Sequence, residues 1–273
     1  MTSICFIGAG NMAHAMIGGL LAAGEPASAI TAADPNPTAR DRLTELGVAT
    51  TADNRAAVTG AKVVVIAVKP QVLAQILTGV AAQLPMDALV ISIAAGIPIN
   101  AIEQALGRSQ AIVRCMPNTP ALLQAGITGM FGNSQVTTSQ RATAQRIATA
   151  IGTHAWLDSE AAIDAVTAVS GSGPAYFFYL MEAMIEAGEA LGLTPELARQ
   201  LTVATARGAA AMADQDDASP SVLRHNVTSP GGTTERALNV FNKGQVQQHI
   251  RAGVQAAATR SEELAQEFGN TQI

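Results

Sequence analysis

The chain has 273 residues, of which 48% are hydrophobic and 14% charged, so it is neither a disordered nor a fibrous protein. Its formal net charge is −5 and it has no basic block, which argues against a nucleic-acid partner. No apolar stretch approaches the ~18 residues of a membrane span, and the N-terminus lacks the charged and apolar regions of a signal peptide. We therefore expect a cytoplasmic protein with no membrane or nucleic-acid partner.

The two cysteines lie far apart in the sequence. Cys5 and Cys115 each sit inside an apolar run. They are too few for a disulfide framework and too isolated for a zinc site. We expect both to be core residues of a protein in a reducing compartment.

The first half of the chain alternates short apolar runs with helical stretches, which predicts βαβ units. The run from Val63 to Val68 is apolar at every position, as in a strand of a parallel sheet that is covered on both faces. The predicted strands are Ser3–Gly8, Ile30–Asp34, Val63–Val68, Leu89–Ile93, Ala111–Met116, Ile127–Phe131 and Ala155–Leu157. The helical stretches between them include Asn11–Ala23, Thr38–Leu46, Gln71–Ala82 and Thr138–Ile151.

The second half of the chain contains no convincing strand. Its predicted helices are Pro174–Leu191, Pro195–Ala213, Ser221–Asn226, Thr234–Asn242 and Gln245–Phe268. Thr194 precedes Pro195 and Glu196, which is a typical helix start with an N-cap, a first-turn proline and a favourable acid. The change of pattern predicts an α/β dinucleotide-binding domain over residues 1–160, followed by an all-α domain over residues 161–273.

A glycine-rich turn directly follows the first predicted strand. In order, its residues are Gly8, Ala9, Gly10, Asn11, Met12 and Ala13, the GxGxxA pattern. The glycines allow a tight turn and a close approach to a pyrophosphate, and the next helix offers free N–H groups at its positive end. Because the turn lies between a strand and an amphipathic helix, it predicts a Rossmann-type dinucleotide site.

Asp34 ends the second predicted strand. An acid at this place accepts hydrogen bonds from the adenosine ribose hydroxyls and favours NAD over NADP. A 2′-phosphate would be repelled by Asp34 unless Arg40 or another cation compensated. Asp34 also precedes Pro35, so the alternative is that it only initiates a turn.

Three further segments follow predicted strands, where ligands bind in such sheets. One contains Ala67, Val68, Lys69 and Pro70, and a second contains Ala94, Ala95 and Gly96, whose small residues would let the nicotinamide come close. The third segment is Met116–Pro120. Its Asn118 has two interpretations: it bonds either the nicotinamide amide or its own turn.

The helical half contains two Gly/Ser-rich segments, Ser170–Tyr176 and Thr228–Thr234, each before a predicted helix. Such loops expose backbone N–H groups and form anion sites without an arginine. They are either simple helix starts or a site for a substrate carboxylate.

No residue of the types that most dehydrogenases use as acids is clearly placed for that role. No lysine occurs between Lys69 and Lys243, so the catalytic lysine of β-hydroxyacid dehydrogenases is absent. Of the four histidines only His14 lies near the predicted cofactor. Three acids on one helix face, at 182, 186 and 189, are an alternative Mg²⁺ site, although we expect no metal. A protonated imine substrate needs no strong general acid, because hydride addition neutralises its charge.

Several segments together resemble the Δ1-pyrroline-5-carboxylate reductase family over essentially the whole chain. These are Gly8–Ala13, Ala67–Pro70, Arg114–Pro120, Ser170–Tyr176 and Asn226–Thr234, the last being highly specific. The resemblance implies reduction of 1-pyrroline-5-carboxylate to L-proline with NADPH or NADH, the last step of proline synthesis. It also implies a homodimer formed by the helical domains, with further assembly to decamers in some members.

The resemblance also implies roles for single residues. Val227 and the backbone of Gly231, Gly232, Thr233 and Thr234 would bind the substrate carboxylate, next to Asn226. The hydroxyl of Thr234 would face the ring nitrogen and act as the catalytic group. Asn54 would contact the adenosine side of the cofactor, and Glu160 would line the substrate pocket. Two alternatives stay open: a reductase for a six-membered cyclic imino acid, and a redox sensor that binds dinucleotide without turnover.

Overall fold

The computed structural model describes residues 2–215 and 217–269. The chain forms two compact units, of which the first runs to Ser172 and resumes at Ala257, while the second is Gly173–Ala256. The predicted boundary near residue 160 lies before this break. Residues between the two positions pack on the sheet, where Gly171 contacts Met116 and Val166 contacts Gly129.

The first unit is built on one eight-stranded sheet in the order β3-β2-β1-β4-β5-β6-β7-β8. The strands are β1 (Ile4–Ile7), β2 (Ile30–Ala33), β3 (Ala49–Thr51), β4 (Val63–Ile66), β5 (Leu89–Ser92), β6 (Ala111–Met116), β7 (Gly126–Gly132) and β8 (Gly152–Trp156). All neighbours are parallel except β6 and β7. A short connection over residues 117–125 joins these two strands, and it contains only a 3₁₀ turn, which is too short for a parallel crossover.

Helices cover both faces of this sheet. They are α1 (Asn11–Ala22), α2 (Pro37–Thr44), α3 (Asn54–Val58), α4 (Pro70–Val80), α5 (Ile99–Leu106), α6 (Thr138–Thr149) and α7 (Ala162–Val166). Two apolar cores result, one on each face, and Cys115 lies in one while Cys5 lies in the other. Both cysteines are buried, which confirms the prediction that they are core residues, and burial raises the pKa of both thiols to about 12.

The second unit is helical. Its helices are α8 (Gly173–Ala190), α9 (Pro195–Gln215), α10 (Pro220–Asn226), α11 (Thr233–Lys243) and the first part of α12 (Val246–Gly269). No strand follows Trp156 in the described part of the chain, which confirms the predicted change of pattern. Among the described residues, no helix is long and apolar enough to cross a membrane.

The second unit has very little core of its own. Within its described residues only Gly173, Ala198 and Thr202 are buried. Large apolar side chains are instead exposed along α8, including Phe177 at 64% and Tyr179 at 77%. This unpaired apolar surface is typical of a domain that packs against a second copy.

Candidate active site

The glycine-rich turn connects β1 to α1 and passes close to the end of β4. Gly8 has a φ of +99°, and a Cβ at this position would lie 2.4 Å from the carbonyl oxygen of Ala67. Only glycine fits there, because both the backbone conformation and the space exclude a side chain. Gly10 is the N-cap of α1, and nothing lies within 4 Å of its missing Cβ. The open space at this helix N-terminus fits a pyrophosphate.

Asp34 fixes the glycine-rich turn to the end of β2. Its Oδ2 accepts a hydrogen bond from the N–H of Ala9 at 2.8 Å, and its Oδ1 accepts one from the N–H of Asn36 at 2.9 Å. Arg40 donates to the carbonyl oxygen of Asp34 at 2.6 Å. Each carboxylate oxygen retains a lone pair for a ribose hydroxyl, and Arg40 supplies a nearby positive charge for a 2′-phosphate. Asp34 therefore initiates the turn, as the alternative interpretation predicted, and its ribose role stays a prediction.

The other predicted cofactor residues follow neighbouring strands at the same edge of the sheet. Asn54 is the first residue of α3, and its Oδ1 is buried without a hydrogen-bond partner among the described residues. Lys69 is the exposed N-cap of α4. Gly96 has a φ of +72° and packs against Leu264 of α12. Segments after β1 to β5 thus converge at the carboxyl edge, where dinucleotides bind in such folds.

Two further polar residues, His14 and Asn118, lie near this edge. Partial burial and the nearby Arg42 lower the pKa of His14. Asn118 donates to the carbonyl oxygen of Ser170 at 3.2 Å and accepts from the N–H of Ile127 at 2.9 Å. Both partners lie outside the 3₁₀ turn that follows Asn118, so the structure shows neither of its two predicted contacts.

Glu160 belongs to the first unit, together with the predicted cofactor residues. Its Oε1 accepts hydrogen bonds from the N–H of Ile99 at 2.7 Å and from Arg114 Nη1 at 2.9 Å. Ile99 is the first residue of α5, directly after the segment that contains Gly96. Sequence reasoning assigned no role to Arg114, although a charge within the apolar run of β6 was a visible signal.

The segment Ser170–Tyr176 is mostly helical and not the open loop that its composition predicted. Residues Thr167–Gly171 form a turn of π-helix, and α8 begins at Gly173. The hydroxyl of Ser170 donates to the carbonyl oxygen of Val166 at 3.0 Å, and the N–H of Ser172 donates to the carbonyl oxygen of Thr167 at 2.8 Å. These two groups are used within the helical turn, and an anion site at this segment stays a prediction.

In the second unit, residues Thr228 to Gly232 form a loop, and Thr233 and Thr234 are the first residues of α11. The N–H of Gly231 donates to Glu235 Oε2 at 2.8 Å, and that of Gly232 donates to the carbonyl oxygen of Ser229 at 3.0 Å. The N–H groups of Thr233 and Thr234 have no acceptor among the described residues, as expected for a helix N-terminus. They are free to bind a carboxylate.

The hydroxyl of Thr234 has no hydrogen bond to another described residue, and the side chain is half-buried. Thr234 is the second residue of α11, whose N-cap is Gly232. The hydroxyl therefore does not cap the helix. Asn226 ends α10, and the next residue, Val227, is 59% exposed.

The described residues contain no group of three or more His, Cys, Asp or Glu side chains that could hold a metal ion.

A mainly parallel sheet with a GxGxxA turn after its first strand, joined to a helical unit, defines the class of nicotinamide-dependent oxidoreductases. Residues 3–96 match a family model described as NADP oxidoreductase, coenzyme F420-dependent. Residues 160–264 match the model of pyrroline-5-carboxylate reductase dimerisation.

Full-length relatives agree with the second model. A pyrroline-5-carboxylate reductase of Pseudomonas aeruginosa is 49% identical over 97% of this chain and 98% of its own length. A reductase structure from Coxiella burnetii has a TM-score of 0.92 and 43% identity, covering 97% of this chain and 98% of that one. A Plasmodium falciparum reductase with NADP bound has a TM-score of 0.86 and 28% identity, with the same coverage. The chain belongs to the pyrroline-5-carboxylate reductase family, as the sequence resemblance indicated.

Proposed function

We propose that the protein reduces 1-pyrroline-5-carboxylate to L-proline with NADPH or NADH, the last step of proline biosynthesis. The full-length match to reductases, with the segment Asn226–Thr234 intact, is the observation that carries this proposal. The alternatives are a reductase for a six-membered cyclic imino acid and a dinucleotide sensor without turnover. A sensor would not need the loop before α11.

The carboxyl edge of the sheet fits a nicotinamide dinucleotide. The space at Gly10 and the N-terminus of α1 suit its pyrophosphate, and the buried, unpartnered Oδ1 of Asn54 suits a donor from its adenosine side. Asp34 would bind the ribose, and the segments Ala67–Pro70 and Ala94–Gly96 would lie along the nicotinamide half. When bound, the reduced cofactor supplies a hydride to the imine carbon of the substrate.

The substrate would be bound by its carboxylate and its ring nitrogen. The free N–H groups of Thr233 and Thr234 would bind the carboxylate, with Val227 and Asn226 beside it. The hydroxyl of Thr234 would contact the ring nitrogen, and Glu160 would line the substrate pocket. Since the protonated imine is already an electrophile, the protein would act mainly by orientation and electrostatic complementarity.

Steady-state oxidation of NADH and NADPH tests this function directly. The purified protein should turn over with 1-pyrroline-5-carboxylate and form proline in equal amount. The six-membered analogue should be a poorer substrate by kcat/KM. Tight dinucleotide binding without turnover would support the sensor instead, and faster turnover of the analogue would change the assigned substrate.

Asp34 leads to a prediction about cofactor preference. The wild type should use NADH with a kcat/KM at least comparable to that for NADPH, and Asp34→Ser should shift the preference toward NADPH because it removes a charge next to the 2′-position. Asp41→Ser on α2 removes an equal charge and should leave the ratio unchanged. A wild type that prefers NADPH by more than about tenfold, or ~1.4 kcal/mol, would contradict this role.

The exposed apolar side chains of the second unit predict a stable homodimer through this unit. Light scattering at micromolar concentration should give at least twice the 27.9 kDa of the chain. The variant Phe178→Asp places a charge among the exposed apolar side chains of α8. It should produce monomers, because the new carboxylate would be buried in the dimer interface without a partner. The surface of α8 around this residue is apolar, and Phe178 itself is 58% exposed.

The matched control is Met86→Asp, which places the same charge on a 68% exposed apolar residue of the first unit and should leave the dimer intact. A wild type that scatters as a single chain would contradict the dimer. A mass well above that of a dimer would support the assembly of dimers into a decamer, which we propose as the further oligomeric state.

A further inference from the structure

Arg114 is a charge buried in the sheet of the first unit. Its side chain is 4% exposed, and on β6 it lies between Ser92 of β5 and Phe131 of β7. Nη1 donates to Glu160, whereas Nε and Nη2 are buried without a partner among the described residues. A buried ion pair is a poor source of stability, because the desolvation of both charges offsets their attraction. Stability alone is therefore a weak explanation for this pair.

The carboxylate of Glu160 is held by one oxygen only. Oε1 accepts both from Arg114 Nη1 at 2.9 Å and from the N–H of Ile99 at 2.7 Å. Oε2 accepts no hydrogen bond from the described residues, and the side chain is 29% exposed. Two donors on separate elements thus fix the direction of the carboxylate and leave one oxygen for a ligand.

We propose that Arg114 is a positioning residue for imine reduction, which holds Glu160 so that its Oε2 accepts a hydrogen bond from the ring nitrogen. This inference rests on the proposed function, because it takes Glu160 as a substrate-binding residue. The hydride adds to the imine carbon, the C=N π electrons become the nitrogen lone pair, and the N–H that Glu160 accepts stays in place. A carboxylate that is fixed in advance needs no reorganisation during this step.

Kinetics of single and double variants test the role of Arg114. Arg114→Met should lower kcat/KM for 1-pyrroline-5-carboxylate about tenfold, the loss expected for one charge-assisted hydrogen bond. KM for the cofactor should change by less than about twofold. Glu160→Gln should cause a loss of similar size. The double variant should lose no more than the worse single variant, because both changes act through the same contact.

Two further variants separate positioning from mere stability. Arg114→Lys keeps the charge and should recover part of the lost kcat/KM. The control is Arg108→Met. In the wild type, the Arg108 guanidinium donates to the carbonyl oxygens of Ala81 and Leu84, so its loss should lower Tm and leave kcat/KM unchanged.

The proposal is overturned if folded Arg114→Met keeps the wild-type kcat/KM, or if the double variant shows the product of the two single losses. If Arg114→Met does not fold, Arg114→Lys decides, and an unchanged kcat/KM in that variant would overturn the proposal. A wild type without turnover of 1-pyrroline-5-carboxylate would overturn the proposed function first. A turning-over wild type with normal Arg114 variants would overturn this inference alone.

Discussion

Gly8→Ala should abolish cofactor binding and destabilise the whole first unit. The new Cβ would lie 2.4 Å from the carbonyl oxygen of Ala67 and 3.0 Å from Val68 Cγ1, at a φ of +99°. A strained φ costs about 1–3 kcal/mol and an overpacked site about the same again, so the free energy of unfolding should fall by ~2–5 kcal/mol. The turn that would bind the pyrophosphate cannot keep its shape under this strain. Thermal unfolding and NADPH titration measure the two effects.

Two other glycines make this test specific. Gly18 on α1 has nothing within 4 Å of its missing Cβ, and Gly18→Ala should leave Tm and cofactor binding intact. Gly10→Ala should keep Tm but weaken binding, because the added methyl group would occupy the space for the pyrophosphate. A stable Gly8→Ala protein that binds NADPH like the wild type would show that the turn is not the cofactor site.

Thr234→Ala should lower kcat with 1-pyrroline-5-carboxylate by roughly ten- to hundredfold, the effect of losing one hydrogen bond worth ~1–3 kcal/mol. In the proposed role the hydroxyl contacts the ring nitrogen as the charge of that nitrogen changes, so turnover should suffer more than cofactor binding. Thr234→Ser keeps the hydroxyl and should retain most of the activity. Since the Thr234 hydroxyl does not cap α11, Tm should change little.

Thr228→Ala is the matched control in the same loop. The Thr228 hydroxyl donates to the carbonyl oxygen of Arg224 at 2.6 Å, which closes the end of α10. Its loss should lower Tm by the amount typical of a local hydrogen bond and leave kcat nearly unchanged. A Thr234→Ala variant with lower Tm and unchanged kcat/KM would instead mean that Thr234 is structural.

The sequence was a good guide to the apolar strands and to most helices, and a poor one to β3, α3 and α5. The strands of the central sheet are continuous apolar runs, which have few other interpretations. Strand β3 has only three residues and α3 only five, so neither gives a readable period. Helix α5 was missed although its buried residues, from Ile99 to Leu106, follow helical spacing.

Composition misled where tertiary packing decides the local structure. Glycine and serine around residue 171 favour a loop, yet Gly171 packs on Met116 and the backbone stays helical. Composition was a correct guide at residues 228–232, where Pro230 and two glycines do make a loop. Contacts such as Asp34 with Ala9 and Arg114 with Glu160 join residues far apart in the chain. No local pattern could have predicted them.

Transfer of label from the cofactor tests the central claim most directly. The full-length protein is incubated with 1-pyrroline-5-carboxylate and with NADPH or NADH that carries deuterium at the transferable position of the nicotinamide, and the proline formed is analysed by mass spectrometry and NMR. The account predicts L-proline with a single deuterium on carbon 5, the former imine carbon, in an amount equal to the cofactor oxidised. Proline without deuterium, or cofactor that binds but is not oxidised, would contradict it.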